Sequence, residues 1–191
     1  MALSRIFDIL DQYETKYAEL EDALAYKNKG NWIKFSATDY IKYSRFFAMG
    51  LLNMGFKKGD KIATISNNMP HWNILDMGIS MIGVVHVPIY PTISSEQHEY
   101  ILQHSDSRIV IVSDKTLFRR VKPIADKLDS LENLYTLNDI DGADNWVEII
   151  HQGRENAENL SAKLKKSRLR FILMICLPLF THPGQPVTLK A

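Results

Sequence analysis

The sequence predicts an α/β fold, a mainly parallel sheet flanked by helices. Three observations carry this. Short apolar runs of strand length (Lys61 to Ser66, Val84 to Ile89, Arg108 to Val112, Leu134 to Leu137) alternate with longer segments whose apolar residues recur at helical spacing. Parallel neighbours need a crossover, and crossover helices cover the sheet, so this order closes into a parallel sheet with helices on both sides. Finally, Ile109-Val110-Ile111-Val112 is apolar at every position, as a strand buried on both faces should be.

The elements follow in chain order. Leu3, Ile6, Phe7 and Leu10 give helical spacing over Leu3 to Gln12. Ala23 to Tyr26 and Trp32 to Phe35 read as two strands around the turn Asn28-Lys29-Gly30-Asn31. Ser36 caps a long helix, with Asp39 in the first turn where the helix dipole favours a carboxylate. Ile41, Ala48, Leu51 and Leu52 mark its buried face, and Gly55 is its stop. Asn67-Asn68 opens the next helix, with Pro70 in its first turn and Gly83 at its end. Ser94 and Gln97 form a capping box for a helix through His104. Asp114 to Leu128 is a further helix with a kink expected near Pro123, and Trp146 to about Lys165 is polar and helical in part.

At 191 residues the chain suits one domain, or a large piece of one, with enough apolar content to bury a core. A net charge of +1 and the lack of a basic stripe argue against a nucleic-acid partner. One cysteine, Cys176, excludes an internal disulfide framework. The N-terminus is polar too early for a signal peptide, and the apolar run from Phe171 to Phe180 is too short to span a bilayer and contains Pro178. A cytoplasmic location is the expectation, with peripheral membrane association through the apolar tail carried beside it.

Single residues offer little chemistry. His71, His86, His98, His104, His151 and His182 show no metal-ligand spacing and read as structural or surface groups. Cys176 has no motif around it. Glu96 and Glu99 read as a solvated face, and Lys57-Lys58 and Arg119-Arg120 as surface pairs. Tyr40, Tyr43, Phe46 and Phe47 lie at helical spacing and read as core. Neither GxGxxG nor GxxxxGK[ST] is present.

Two stretches carry a resemblance. Gly59-Asp60-Lys61-Ile62-Ala63 with Ser66-Asn67-Asn68-Met69-Pro70-His71-Trp72, and Gly83-Val84-Val85-His86-Val87-Pro88-Ile89-Tyr90-Pro91-Thr92 with Tyr100-Ile101-Leu102 and Ser105-Asp106, stand in order at family-like spacing. Together they resemble the AMP-forming acyl-CoA synthetases, and the wording Val-Pro-Ile-Tyr-Pro-Thr is similar to the long-chain fatty acid branch. His71 departs from the family's frequent Glu, and His86 from a small residue. The resemblance implies the incomplete N-terminal part of the adenylate-forming synthetase fold. It also implies a parent enzyme, a long-chain fatty acid–CoA ligase, that joins a fatty acid to AMP from ATP with Mg²⁺ and passes the acyl group to CoA. The family's phosphate loop resembles Y-T-S-G-T-T-G-x-P-K-G and is expected soon after Lys165.

The sequence there is RLRFILMICLPLFTHPGQPVTLKA. Read one base out of register, each codon takes the third base of one residue and the first two of the next. Met174 with Ile175 then forces aspartate, and the following pairs allow L-P-T-L-I-Y-T-S-G-T-T-G-N-P-K-G. That string resembles the family's phosphate loop, in the place expected for it. Residues 1–165 are therefore expected to be the N-terminal part of an AMP-binding synthetase domain. Residues 166–191 are expected to be an out-of-frame tail, with the shift between Ala162 and Arg170.

No catalytic, cofactor-binding or metal-binding residue is assigned to the chain. It is expected to be inactive alone and to hold ATP, Mg²⁺ and CoA poorly. It is also expected to fold poorly, because a truncated sheet leaves an unpaired edge and an uncovered apolar face. The alternative function is a small non-enzymatic binding or scaffold protein that reuses this half-domain.

Overall fold

The computed structural model describes residues 4–169. Cys176, His182 and the segment read in the shifted frame lie outside the described residues.

The chain opens later than its spacing suggests. A 3-10 turn, Ile6–Asp8, precedes helix α1, Ile9–Lys16. The Asp8 carboxylate accepts from the backbone N–H of Ser4 and Arg5 and from the Arg5 guanidinium, which tightens this first turn. Strands β1 (Leu24–Asn28) and β2 (Asn31–Phe35) pair antiparallel. Lys29 and Gly30 between them have φ of 47° and 88°, the two positive values that a tight hairpin turn of this hand requires.

Helix α2 (Ala37–Asn53) starts on the expected box: Ser36 Oγ accepts from Asp39 N at 3.0 Å, and Asp39 Oδ2 accepts from Ser36 N at 3.1 Å. Then come β3 (Lys61–Ile65), α3 (Pro70–Ile82), β4 (Val85–Ile89), α4 (Ser95–Ser105), β5 (Ile109–Val112), α5 (Lys115–Ala125), β6 (Asn133–Thr136), β7 (Asp144–Asn145), α6 (Val147–Glu155) and α7 (Ala157–Leu169). The two-residue β7 has no apolar pattern and was not expected; Thr136 Oγ1 donating to Asp144 O helps hold it beside β6.

The five-stranded sheet runs β4-β3-β5-β6-β7, and every pairing is parallel. Side chains alternate across it. Ile62, Ile109, Ile111 and Tyr135 enter one core with α2, α3, α6 and α7, while Ala63, Ile65, Val110 and Val112 enter a second with α4 and α5. β5 is buried at all four positions, as its composition requires. At β3 and β5 both faces are thus covered, against the expectation of an uncovered apolar face. The edges do remain. On β4, Val85 N bonds inward to Asp60 O, so the alternate position Pro88 turns outward, where its missing N–H blunts the edge.

Arg108 ties the N-terminal ends of β3, β5 and β6. It reaches Asp60 at 2.6 Å and Glu132 at 2.7 and 2.9 Å, and lies 4.1 Å over the Phe56 ring.

Candidate functional site

The order β4-β3-β5 reverses direction at β3: the chain crosses to one side for β4, then to the other for β5. In open parallel sheets this switch point opens a crevice at the carboxyl ends of the two strands. Here those ends carry Ser66-Asn67-Asn68 after β3 and Ser113-Asp114 after β5.

This chain bridges the crevice with its own side chains. Asn67 N donates to Ser113 Oγ at 3.1 Å, and Asn67 Nδ2 donates to Asp114 Oδ2 at 2.9 Å. Ser113 Oγ–H donates to the same Oδ2 at 2.7 Å. Asp114 Oδ1 accepts from Thr116 N and Leu117 N at 3.0 and 3.1 Å, capping α5. Partial burial would raise the Asp114 pKa, but the donors Ser113, Leu117, Thr116 and Asn67 outweigh it and hold the carboxyl below its usual range. An internal carboxylate thus occupies the helix N-terminus where a bound anion would otherwise sit.

Beside it lies an open cleft of about 500 Å³ lined by Asp114, Lys115, Thr116 and residues 138–141. Asp114, Asp139 and Asp141 face it against one Lys115, a balance that repels a polyphosphate. Among the described residues no group of three His, Cys, Asp or Glu could hold a metal ion.

The loop after β4 is held by side chains that sequence reasoning treated as ordinary. His98, fully buried, meets Tyr90 O through Nε2 at 3.0 Å; a carbonyl only accepts, so Nε2 carries the proton. Burial, with Arg120 nearby, pushes its pKa down despite that bond, and Nδ1 has no partner. Arg120 donates to Pro91 O and Ile93 O at 3.0 and 3.4 Å. Expected as a surface group, it is half-buried against the loop backbone instead. Its partners lie nearly thirty residues back in the chain, a separation that leaves no local pattern to read.

Of the other described histidines, His71 and His86 make internal contacts, and His104 and His151 are exposed. His71 is buried among Tyr26, Phe35 and Trp146, whose rings meet it edge-on at 5.2, 5.5 and 5.4 Å, and burial lowers its pKa to about 4. His86 joins Thr64 Oγ1 at 2.8 Å to Asp76 Oδ1 at 2.7 Å beneath Trp72. His104 stacks on Tyr100, and His151 is exposed. Glu96, Lys57 and Lys58 are exposed, and Glu99 is half-buried. Tyr40 and Phe47 are buried in the core, with Tyr43 and Phe46 packed on it. Asn67, expected to open α3, reaches across to β5; Met69 is the cap and makes no side-chain cap bond, leaving Pro70 to start the helix.

Residues 13–178 match the sequence profile of the AMP-binding enzyme family. The chain belongs to that family. Among its relatives, a long-chain-fatty-acid–CoA ligase of Xenopus laevis is 26% identical over 134 residues, which is 70% of this chain and 18% of the relative. A long-chain-fatty-acid–CoA ligase of Mycobacterium bovis is 29% identical over 105 residues, 55% of this chain and 18% of the relative. The chain thus spans under a fifth of the length of these relatives. The fold is shared with a coronafacic acid ligase from Pectobacterium brasiliense, with a TM-score of 0.64, 23% identity, and coverage of 77% of this chain and 29% of that one. It is also shared with an anthranilate CoA ligase solved with anthranoyl-AMP, with a TM-score of 0.64, 18% identity, and coverage of 79% and 28%. No helix among the described residues is long and apolar enough to cross a membrane.

Proposed function

We propose that this chain is the N-terminal part of a long-chain fatty acid–CoA ligase, and that these 191 residues by themselves form no acyl-adenylate. The parent enzyme would use ATP, Mg²⁺, CoA and a fatty acid. The observation that carries the reading is the match over residues 13–178, on a parallel sheet whose switch point, among the described residues, is bridged by Asn67 and Asp114. Asp114 fills the α5 N-terminus, and the adjoining cleft sets Asp114, Asp139 and Asp141 against one Lys115. No residue of this chain is assigned a catalytic, cofactor-binding or metal-binding role.

We further propose that the tail is read out of frame. The match in the given frame stops at residue 178, before the stretch whose shifted reading is Y-T-S-G-T-T-G-N-P-K-G. Support for the given frame up to Arg168 comes from packing. Leu160 and Leu164 are buried, and Arg168 holds Asp11 at 2.7 and 2.9 Å. We therefore put the shift after Arg168, narrowing the interval that opens at Ala162.

Palmitate-dependent ATP–pyrophosphate exchange tests the first claim. The chain as given should show none above a no-protein control. Exchange well above that control overturns the reading.

A further inference from the structure

The hairpin of β1 and β2 stands apart from the main sheet and has two unlike faces. On the inner one, Tyr26 and Phe35 pack on His71. The register pairs Lys27 with Trp32 and Ala25 with Lys34, so these four share the outer face. Trp32 is 64% exposed there. Between Lys27 and Lys34 the sequence has three lysines and no carboxylate, and Lys29 stands at the turn itself. The nearest acids in sequence flank the hairpin, Glu21 and Asp22 before it and Asp39 after it; Asp22 meets Lys34 at 3.4 Å with both side chains about half exposed.

We propose that this hairpin tip docks the protein on an anionic lipid bilayer, with Trp32 at the headgroup level and Lys27, Lys29 and Lys34 on the lipid charges. Charge complementarity selects the partner. An indole prefers the membrane interface, and lysines beside it can keep their stems over apolar surface and their ammonium groups in the headgroups. A projecting two-stranded ribbon suits a broad, deformable surface. Each lysine near such a surface contributes roughly fivefold, decaying within a Debye length, so the contact is weak and salt-sensitive. The proposal uses no part of the ligase reading, so the exchange assay and the vesicle assay can fail separately.

The test is sedimentation of the full chain with phosphatidylcholine vesicles, with and without phosphatidylserine. Binding is expected only with phosphatidylserine, together with a blue shift in tryptophan emission that Trp32→Phe abolishes. The pair Lys27→Glu with Lys29→Glu should weaken binding roughly twentyfold or more, and Lys27→Arg with Lys29→Arg should retain it. These side chains are exposed, so the fold should survive, as circular dichroism can check. Absence of binding to phosphatidylserine vesicles overturns the proposal. So does binding unchanged in the Glu pair, or binding that persists in the Glu pair but disappears when residues 170–191 are deleted, which would make the tail the anchor.

Discussion

The two faces of the sheet are built differently. One is thick: α2, α3, α6 and α7 bury Phe47, Leu51, Ile74, Leu75, Ile79 and Ile149 against Ile62, Ile109 and Ile111. The other is thin: α4 and α5 contribute Leu102, Leu117, Val121 and Ile124 over Ala63, Ile65, Val110 and Val112. The thick face relies on helices in direct backbone contact. A Cβ on Gly50 would stand 1.9 Å from Ile149 O, and one on Gly153 would stand 1.9 Å from Phe46 O. The thin face relies on side-chain caps, Ser94 with Gln97 for α4 and Asp114 for α5. Close glycine crossings therefore set the spacing of the thick face, while side-chain caps start helices on both faces, Ser36 for α2 as well as Ser94 for α4 and Asp114 for α5.

Adding one methyl group should break the thick face most severely. Gly153→Ala must push α6 off the backbone of α2, because Phe46 O cannot yield as a flexible side chain could. A loss of about 3 kcal/mol or more is expected in urea melts, a large share of the typical stability of a domain. A loss under about 1 kcal/mol would show that the two helices are not in contact. The next largest effect comes from a matched pair. Leu75 and Leu102 are both fully buried, one in each core. Leu75→Ala should cost about 4 kcal/mol and Leu102→Ala about 2–3, because a site held among four helices collapses less into the cavity. The reverse order would overturn the contrast.

A third test uses pH. His71 lies in the thick core with a folded pKa of about 4 against 6.5 unperturbed. The unfolded chain takes up the proton first, so this stability is complete above pH 6.5 and is lost as pH falls through the window to about 4. His71→Phe should remove about 3 kcal/mol of pH dependence across that window, read as the difference between the two stability profiles. Parallel profiles would mean that His71 is not buried neutral. The smallest effect belongs to the thin face. Asp114→Ala should cost about 1–2 kcal/mol through the lost α5 cap and the bonds to Asn67 and Ser113, measured by thermal melts.

The same contrast explains what was legible in the sequence. Helical spacing and strand runs exposed the sheet, its order of elements and the caps Ser36 and Ser94, because these are local patterns. The doubled core of β5 was visible in Ile-Val-Ile-Val. Nothing local announced Gly50 and Gly153, since a close helix crossing depends on partners about a hundred residues apart. Arg120 and the Asn67–Asp114 bond likewise join residues well separated in the chain, while His98 reaches the Tyr90 carbonyl eight residues back, a side chain to backbone contact that no residue pattern marks. β7 escaped notice because two polar residues joined to β6 carry no strand signal. The family wording was legible in short ordered blocks, from Gly59 to Trp72 and from Gly83 to Asp106.

Resequencing the DNA from the codon for Asn159 to several hundred bases past Ala191 tests the shifted phosphate loop most directly. The prediction is a second frame, entered after the codon for Arg168, that reads Y-T-S-G-T-T-G-N-P-K-G and continues as open coding sequence, whether a base has been misread or the shift is real. A second frame that is closed, or that spells other residues at those codons, would contradict it.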